Sequence, residues 1–349
     1  MKFLINSSTD PYYNMAFDQA VLEHGPEELV FYLWRNSPAV IIGRNQNAYA
    51  EVNLPYLEAN GIALVRRITG GGAVYHDLGN LNYSIVGPTK CFADERPGVI
   101  AEALKAMGIP AELGGRNDIF VNGRKCSGYA RRLWKDRTMI HGTLMFNVDL
   151  QCLVQALSVP GSKVSASGVA SVHSKVANLC EYFNGTMEQF TSRLHDYLRS
   201  LDYARDDNNR HTEALAIFCH TEAPAVFCHT EAPEGPSVSH IPVDDSRFRS
   251  WDWNYGKSPE AAFSKTHRFP CGTVTAAYSL QHGRLHNVRF TGDFIGSADV
   301  SALEKGLEGA PLCHFDQAKR AEKSLLDLLA DAPSFFDGLS PIDLYNFLF

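Results

Sequence analysis

Residues 66–84, RRITGGGAVYHDLGNLNYS, set three consecutive glycines between two apolar stretches, and no other part of the chain narrows its possible folds as far. Residues 62–65 (IALV) predict a short buried strand leading into this bend, and residues 81–86 (LNYSIV) predict a partly alternating strand leading out. Without a Cβ, Gly70, Gly71 and Gly72 can take positive φ, approach a ligand closely and turn backbone N–H groups toward an anion. The run is not a Walker loop, because no Gly-Lys-Ser/Thr follows. It is not a dinucleotide fingerprint either, because the glycines are contiguous and no helix opens after them. A bare glycine triplet is mostly turn punctuation. Here Arg66, Arg67, Thr69, Tyr75, His76, Asp77 and Asn80 surround it, and so many polar groups beside one bend between buried strands are costly unless they face a ligand or one another.

At 349 residues the chain exceeds what one core usually serves, so a large domain and a small one are expected. Its 39 acidic and 32 basic side chains leave a formal charge of −7, which argues against a nucleic-acid binder held by bulk electrostatics. No apolar run approaches the ~18 residues of a membrane span, and neither a signal peptide nor an arginine-rich transit peptide is expected, the first arginine being Arg35. The eight cysteines are scattered without a C-x-x-C pair, which fits reduced thiols in the cytoplasm better than a disulfide or zinc framework.

In chain order, Asp10-Pro11 predicts a helix running to Gly25-Pro26. Strands are expected at 29–34 and 39–43, as antiparallel neighbours joined at Asn36-Ser37-Pro38. GRNQN at 43–47 reads as a solvated turn. Short helices follow at 54–60 and 99–107, so strand-to-strand hairpins outnumber βαβ units in a mixed α/β or α+β core. In GRNDIFVNGRKCSGYARR, 115–132, Asn122-Gly123 is a hairpin turn, and Lys125 just beyond it sits beside Asn117 and Asp118. A lysine is ordinarily solvated surface, but this strand could aim Lys125 inward. Asp118 reads as a turn carboxylate or as an oxygen ligand to Mg²⁺. His141, opening a strand expected over 143–148, reads as a structural histidine or a catalytic one.

These blocks, taken with VHSKVANL at 172–179 and WDWNYGKSP at 251–259, resemble the lipoate-protein ligase A family. The resemblance implies an α+β fold. Its large domain is a mixed sheet of the class II aminoacyl-tRNA synthetase and biotin ligase type, expected over 1–245, with a smaller α+β accessory domain at 246–349. It implies activation of lipoate with ATP and Mg²⁺ to lipoyl-AMP and pyrophosphate, then transfer to a lysine of the lipoyl domains of 2-oxoacid dehydrogenase complexes or of glycine cleavage H protein. A monomer is expected. The family's lysine falls on Lys125, and its ATP- and adenylate-contacting positions on Arg67, Gly72, Ala73, Val74 and Tyr75. His76, Asn80, Asn117 and His141 fall at further motif positions, and Asp118 is the candidate metal ligand. Bringing a carboxylate onto the α-phosphate needs fixed positive charge and N–H donors, which Lys125, Arg67 and the loop can supply. Val74 and the strand around Leu81 are candidates for the apolar slot of the lipoyl chain.

Two other readings compete with the ligase. One is an octanoyl- or lipoyl-transferase of the same fold using Cys126 as a thioester-forming nucleophile. The other is a non-catalytic lipoyl- or carrier-binding module. Residues 201–241 depart from the family pattern: AIFCHTEAP at 216–224 recurs as AVFCHTEAP at 225–233, and the segment reads as a biased linker that lets the small domain move.

Overall fold

The computed structural model describes residues 2–92, 98–114, 118–158, 163–166, 175–206, 241–294, 297–312 and 325–348. Strands β1 (Lys2–Ile5) and β2 (Val30–Trp34) flank a helix, Pro11–His24. That helix starts where expected, because the Asp10 side chain accepts from the Tyr12 and Tyr13 amides with Pro11 in the first turn. Then come β3 (Ala39–Ile42), β4 (Ala63–Arg66), β5 (Val74–His76) and β6 (Asn80–Pro88), followed by β7 (Ala111–Gly114), β8 (Asp118–Val121), β9 (Arg124–Trp134) and β10 (Arg137–Met145). The hairpin between β8 and β9 turns on Asn122 and Gly123, both at positive φ, as its Asn-Gly pair predicts.

Seven strands form the main sheet in the order β1-β2-β6-β10-β9-β8-β7, with every pair antiparallel except β1 and β2. One face is covered by helices Gly98–Ala106 and Met187–Asp206 over a core that includes Phe31, Leu81, Tyr83, Ile85, Ile140 and Phe190. The other face receives helix Pro11–His24 and a second sheet of order β4-β3-β5. Strand β3 reads AVII because it is buried on both sides, with Ala39 and Ile41 facing the main sheet and Val40 and Ile42 facing outward. The expectation that 29–34 and 39–43 are antiparallel neighbours is therefore wrong. The chain steps from one sheet to the other at Asn36, whose buried amide is held by Asn14, and β2 pairs with β1 and β6 instead.

The second domain is an antiparallel sheet of β12 (Ala261–Phe269), β13 (Gly272–Gln281) and β14 (Arg284–Gly292), with β11 (Lys163–Ala166) paired on the outer edge of β12. Its buried face alternates along β13 and packs under helices Val300–Leu307 and Pro341–Leu348. The two domains are stitched together by residues that precede β12 and by Leu312 beyond β14. Phe248 enters the core beneath helix Pro11–His24, and Asn47, Ala48 and Tyr49 bond to the Pro259 carbonyl, the Ser258 hydroxyl and the Leu312 carbonyl. Residues 246–258 thus pack on the first domain, although the sequence reading counts them with the second. Residues 201–206 finish helix Met187–Asp206; the duplicated segment, at 216–233, lies outside the described residues. No helix among the described residues is long and apolar enough to cross a membrane.

Candidate active site

The glycine bend is built around two arginines that leave β4 in different directions. Arg66 is fully buried, and its guanidinium donates to the carbonyls of Gly43, Arg44, Gln46, Trp253 and Asn254 and to the Ser258 hydroxyl. Burial lowers its pKa to about 10, which still leaves it charged at neutral pH. Arg67 folds back under the loop. Its Nε donates to Thr69 Oγ1 at 3.0 Å, and its terminal nitrogens donate to the carbonyls of Gly70 at 2.7 Å, Gly72 at 2.8 Å and Ile41 at 3.0 Å. Burial again lowers the pKa to about 10. The sequence reading sets this arginine against a phosphate; in the structure it braces the loop's own carbonyls. Because a trans peptide points its C=O and the following N–H in opposite directions, turning the Gly70 carbonyl onto Arg67 turns the Gly71 N–H away from it.

Close backbone approach explains two of the glycines here. A Cβ on Gly43 would lie 2.0 Å from the Gly71 carbonyl oxygen, and Gly71 itself has φ +93 with Arg67 Nη2 2.8 Å from where its Cβ would be. GRNQN is therefore a wall of the site and not a free turn: the Arg44 amide donates to the Thr69 carbonyl and the Arg67 amide to the Ile42 carbonyl. Of the loop residues, Val74 and Tyr75 already belong to β5, paired with Ile41 and Val40, and the Tyr75 ring is buried in the core between the domains. The part of the bend that is not buried begins earlier than Gly72, at Gly70, and ends before Tyr75.

Beneath the loop runs a polar stripe. On β6 the apolar Leu81, Tyr83 and Ile85 enter the helix-covered core, so Asn80, Asn82 and Ser84 face the loop side. Leu81 therefore does not line the loop side. Cross-strand pairing sets His141 of β10 opposite Ser84, and His141 Nε2 lies 2.7 Å from Thr69 Oγ1 while Nδ1 lies 2.6 Å from Asp18 Oδ2. His76 is buried; Asn36 Nδ2 donates to its Nδ1, and its ring meets Trp34 edge-on. Burial first, then the neighbouring Arg67 and His141, lower the His76 pKa to about 3, so the ring is neutral with its proton on Nε2. That Nε2, Asn80 Oδ1 and Asn82 Nδ2 are buried without a hydrogen-bond partner. Polar atoms grouped without partners on one buried face can be met there by a ligand or by ordered water.

Lys125 stands on β9 with its Nζ 2.8 Å from Asp118 Oδ1, both side chains about one quarter exposed. It bends over Gly128, where an added Cβ would lie 3.1 Å from Nζ. The Gly128 amide donates to Thr143 Oγ1, two residues along β10 from His141, so lysine and glycine loop occupy the same face of the sheet. The main chain of Lys125 is fixed from the far side by Lys175 and Ala177. Cys126 points the opposite way into the helix-covered core, its thiol donating to the Ile119 carbonyl, and burial pushes its pKa up to about 12. Asn117 lies outside the described residues.

No group of three or more His, Cys, Asp or Glu side chains able to hold a metal occurs among the described residues. Asp118 is the carboxylate nearest Lys125. One protein oxygen suits Mg²⁺, which keeps water and substrate phosphates as its other ligands. A separate cavity of about 490 Å³ between β2 and helix Met187–Asp206 is lined by Leu81 and Trp34 but not by Arg67, the glycine bend, His76, Asn80, Asp118, Lys125 or His141. The sequence reading missed Asp18, Asn36 and the role of Arg66. Asp18 did leave a signal, since it and Asn14 lie four residues apart on the helix stripe that carries Met15, Val21 and Leu22.

Comparison with known proteins shows the family. Residues 10–199 match the lipoyl protein ligase A/B catalytic domain, and residues 258–328 match the bacterial lipoate protein ligase C-terminus. The lipoate-protein ligase LplJ of Bacillus subtilis is 38% identical over 88% of this chain and 90% of its own length. Lipoate-protein ligase 1 of Staphylococcus aureus is 34% identical over 99% and 96%. A solved structure of a bi-partite lipoate protein ligase and its E2 lipoyl domain from Thermoplasma acidophilum superposes with a TM-score of 0.50 at 26% identity, over 58% of this chain and 83% of that one.

Proposed function

This chain belongs to the lipoate-protein ligase family, and from that membership we propose that it activates lipoate with ATP and transfers the lipoyl group to a lysine of lipoyl domains. In the first step the lipoate carboxylate attacks the α-phosphorus of ATP, forming lipoyl-AMP and releasing pyrophosphate. In the second, an acceptor lysine amine attacks the acyl carbon, forming an amide and releasing AMP. The observation that carries this reading is the placement of Lys125 and the braced glycine loop over one face of the sheet. Two anions must meet in the first step, and a compact ammonium opposite a backbone N–H cradle is the arrangement that offsets their repulsion.

Within this reading, Arg67 acts through the loop. By holding the Gly70 and Gly72 carbonyls it orients the cradle, and its buried charge adds to the local potential. His76 Nε2–H and the Asn80 and Asn82 amides receive polar atoms of the bound substrates. Asp118 would hold Mg²⁺ through one carboxylate oxygen, and the ion would supply positive charge to the pyrophosphate leaving group. The acceptors are lipoyl domains of 2-oxoacid dehydrogenase complexes and glycine cleavage H protein, the working form is a monomer, and the compartment is the cytoplasm. The free cysteines among the described residues suit that setting.

A thioester route through Cys126 lacks support, because a buried thiol with a raised pKa on the opposite face supplies no thiolate to the site. Pyrophosphate release that requires lipoate, ATP and Mg²⁺ together, followed by a mass gain of one lipoyl group on an apo lipoyl domain, tests the proposal. Lipoyl transfer without ATP, or acylation of Cys126, would overturn it.

A further inference from the structure

Arg67 is a buried cation whose own hydrogen bonds go to carbonyls and one hydroxyl. Its path to a carboxylate runs through two intermediaries. Arginine only donates, so its Nε–H goes to Thr69 Oγ1 and to the Gly70 carbonyl, and Thr69 Oγ1 in turn lies 2.7 Å from His141 Nε2. On the other side of the ring, His141 Nδ1 faces Asp18 Oδ2 at 2.6 Å. Asp18 is itself fixed, accepting from Tyr32 at 2.5 Å and from Ser84 at 2.8 Å, while Ser84 accepts from the Trp34 indole at 3.0 Å. The series runs unbroken from guanidinium to carboxylate, and with the threonine hydrogen on His141 Nε2 and the imidazole hydrogen on Nδ1 its bonds would be aligned and polarise one another in a low-dielectric interior. All four principal members are buried.

We propose that Asp18, His141 and Thr69 form a positioning relay that locks Arg67, and through it the glycine loop, in the shape required for adenylate formation. The inference rests on the ligase reading above and adds to it residues that act through another group. Asp18 fixes the imidazole tautomer, the imidazole fixes the threonine hydroxyl, and the hydroxyl sets the roll of the guanidinium about its Nε. The two terminal nitrogens then meet Gly70 and Gly72. Loss of any link leaves Arg67 its carbonyl partners but loosens its roll about Nε, which misplaces the cradle and not the charge.

The test uses the full-length chain with Thr69→Ser, Thr69→Val, Asp18→Asn and the double variant Asp18→Asn/Thr69→Val. Lipoate- and ATP-dependent pyrophosphate release, thermal unfolding and imidazole ¹⁵N NMR of His141 are read on each. Thr69→Val and Asp18→Asn should each lower kcat by about ten- to a hundredfold, with a smaller change in KM for ATP. Thr69→Ser, which keeps the hydroxyl, should stay within about threefold of wild type. The double variant should be about as slow as the worse single one, because one broken link already frees the chain. The NMR should show the His141 proton on Nδ1 in wild type and a mixed tautomer in Asp18→Asn. Equal losses in Thr69→Ser and Thr69→Val, multiplying losses in the double variant, or an unchanged tautomer in Asp18→Asn would each overturn the relay. If wild type releases no pyrophosphate, the ligase reading fails while the tautomer measurement still decides the relay.

Discussion

Lys125 Nζ and Asp118 Oδ1 lie 2.8 Å apart on neighbouring strands, with Gly128 leaving the space in which the pair meets. The lysine is thus held by a carboxylate before any substrate phosphate reaches it. Lys125→Met keeps most of the side chain's length and removes its charge. It should abolish adenylate formation, by about a thousandfold or more, with little change in unfolding temperature. Asp118→Asn should leave the lysine in place but raise the Mg²⁺ concentration needed for half-maximal rate several-fold. A Mg²⁺ titration that matches wild type would remove Asp118 from the metal's ligands.

The neutral, buried His76 makes stability depend on acid. Its folded-state pKa is lowered to about 3 from an ordinary value of 6.5. As pH falls through the interval between those values, the unfolded chain takes up a proton that the folded chain refuses, so stability is lost by about 1.4 kcal/mol per pH unit. Between about pH 7 and about pH 5 wild type should lose about 2 kcal/mol more unfolding free energy than His76→Gln. Urea titrations at both pH values measure the difference, and parallel losses in the two proteins would contradict a neutral His76.

Cys126 is the residue on which a transferase reading depends, and its surroundings are those of a small core hydrophobe. Cys126→Ser should keep ATP-dependent ligation, since the hydroxyl can donate to the same Ile119 carbonyl. The wild-type thiol should resist alkylation at neutral pH in the folded protein. Rapid labelling of Cys126, or loss of ligation in the serine variant, would reopen the thioester route.

Arg66 ties β4 to residues 251–258, and removing it strands several buried carbonyls at once. Arg66→Met should destabilise the protein by about 3 kcal/mol or more. A chain ending at 243 should be less stable than one ending at 259, because only the longer one keeps the Trp253, Asn254 and Ser258 acceptors. Equal unfolding midpoints for the two truncations would show that this segment is not part of the first domain.

Local chemistry was legible in the sequence. The Asp10-Pro11 helix start and the Asn122-Gly123 hairpin each depend on residues within a few positions of one another, and each appears as read, whereas of the three contiguous glycines only Gly71 takes positive φ. The errors lie where partners are distant. The short link after Trp34 looks like a hairpin, yet β2 is claimed by β6, some fifty residues on. Arg67 carries the charge expected of a phosphate binder, but its orientation depends on Thr69, and through it on His141 and Asp18, 123 residues apart. Periodicity reports which face a residue occupies. It does not report what another strand places opposite that face, and here the opposing residue assigns the role.

The wrapping of Arg66 by residues 253–258 also carries a timetable. A ribosome adding about 5–20 residues per second needs roughly 10–40 s to travel from Arg66 to its acceptors at 253–258. Throughout that interval the guanidinium has only the 43–46 carbonyls to meet, and the strand that launches the glycine loop stays unseated. A nascent chain halted just past residue 199 would already hold Lys125, His141 and the whole bend. It should bind nucleotide poorly all the same, gaining affinity only when translation passes the WDWNYGKSP segment.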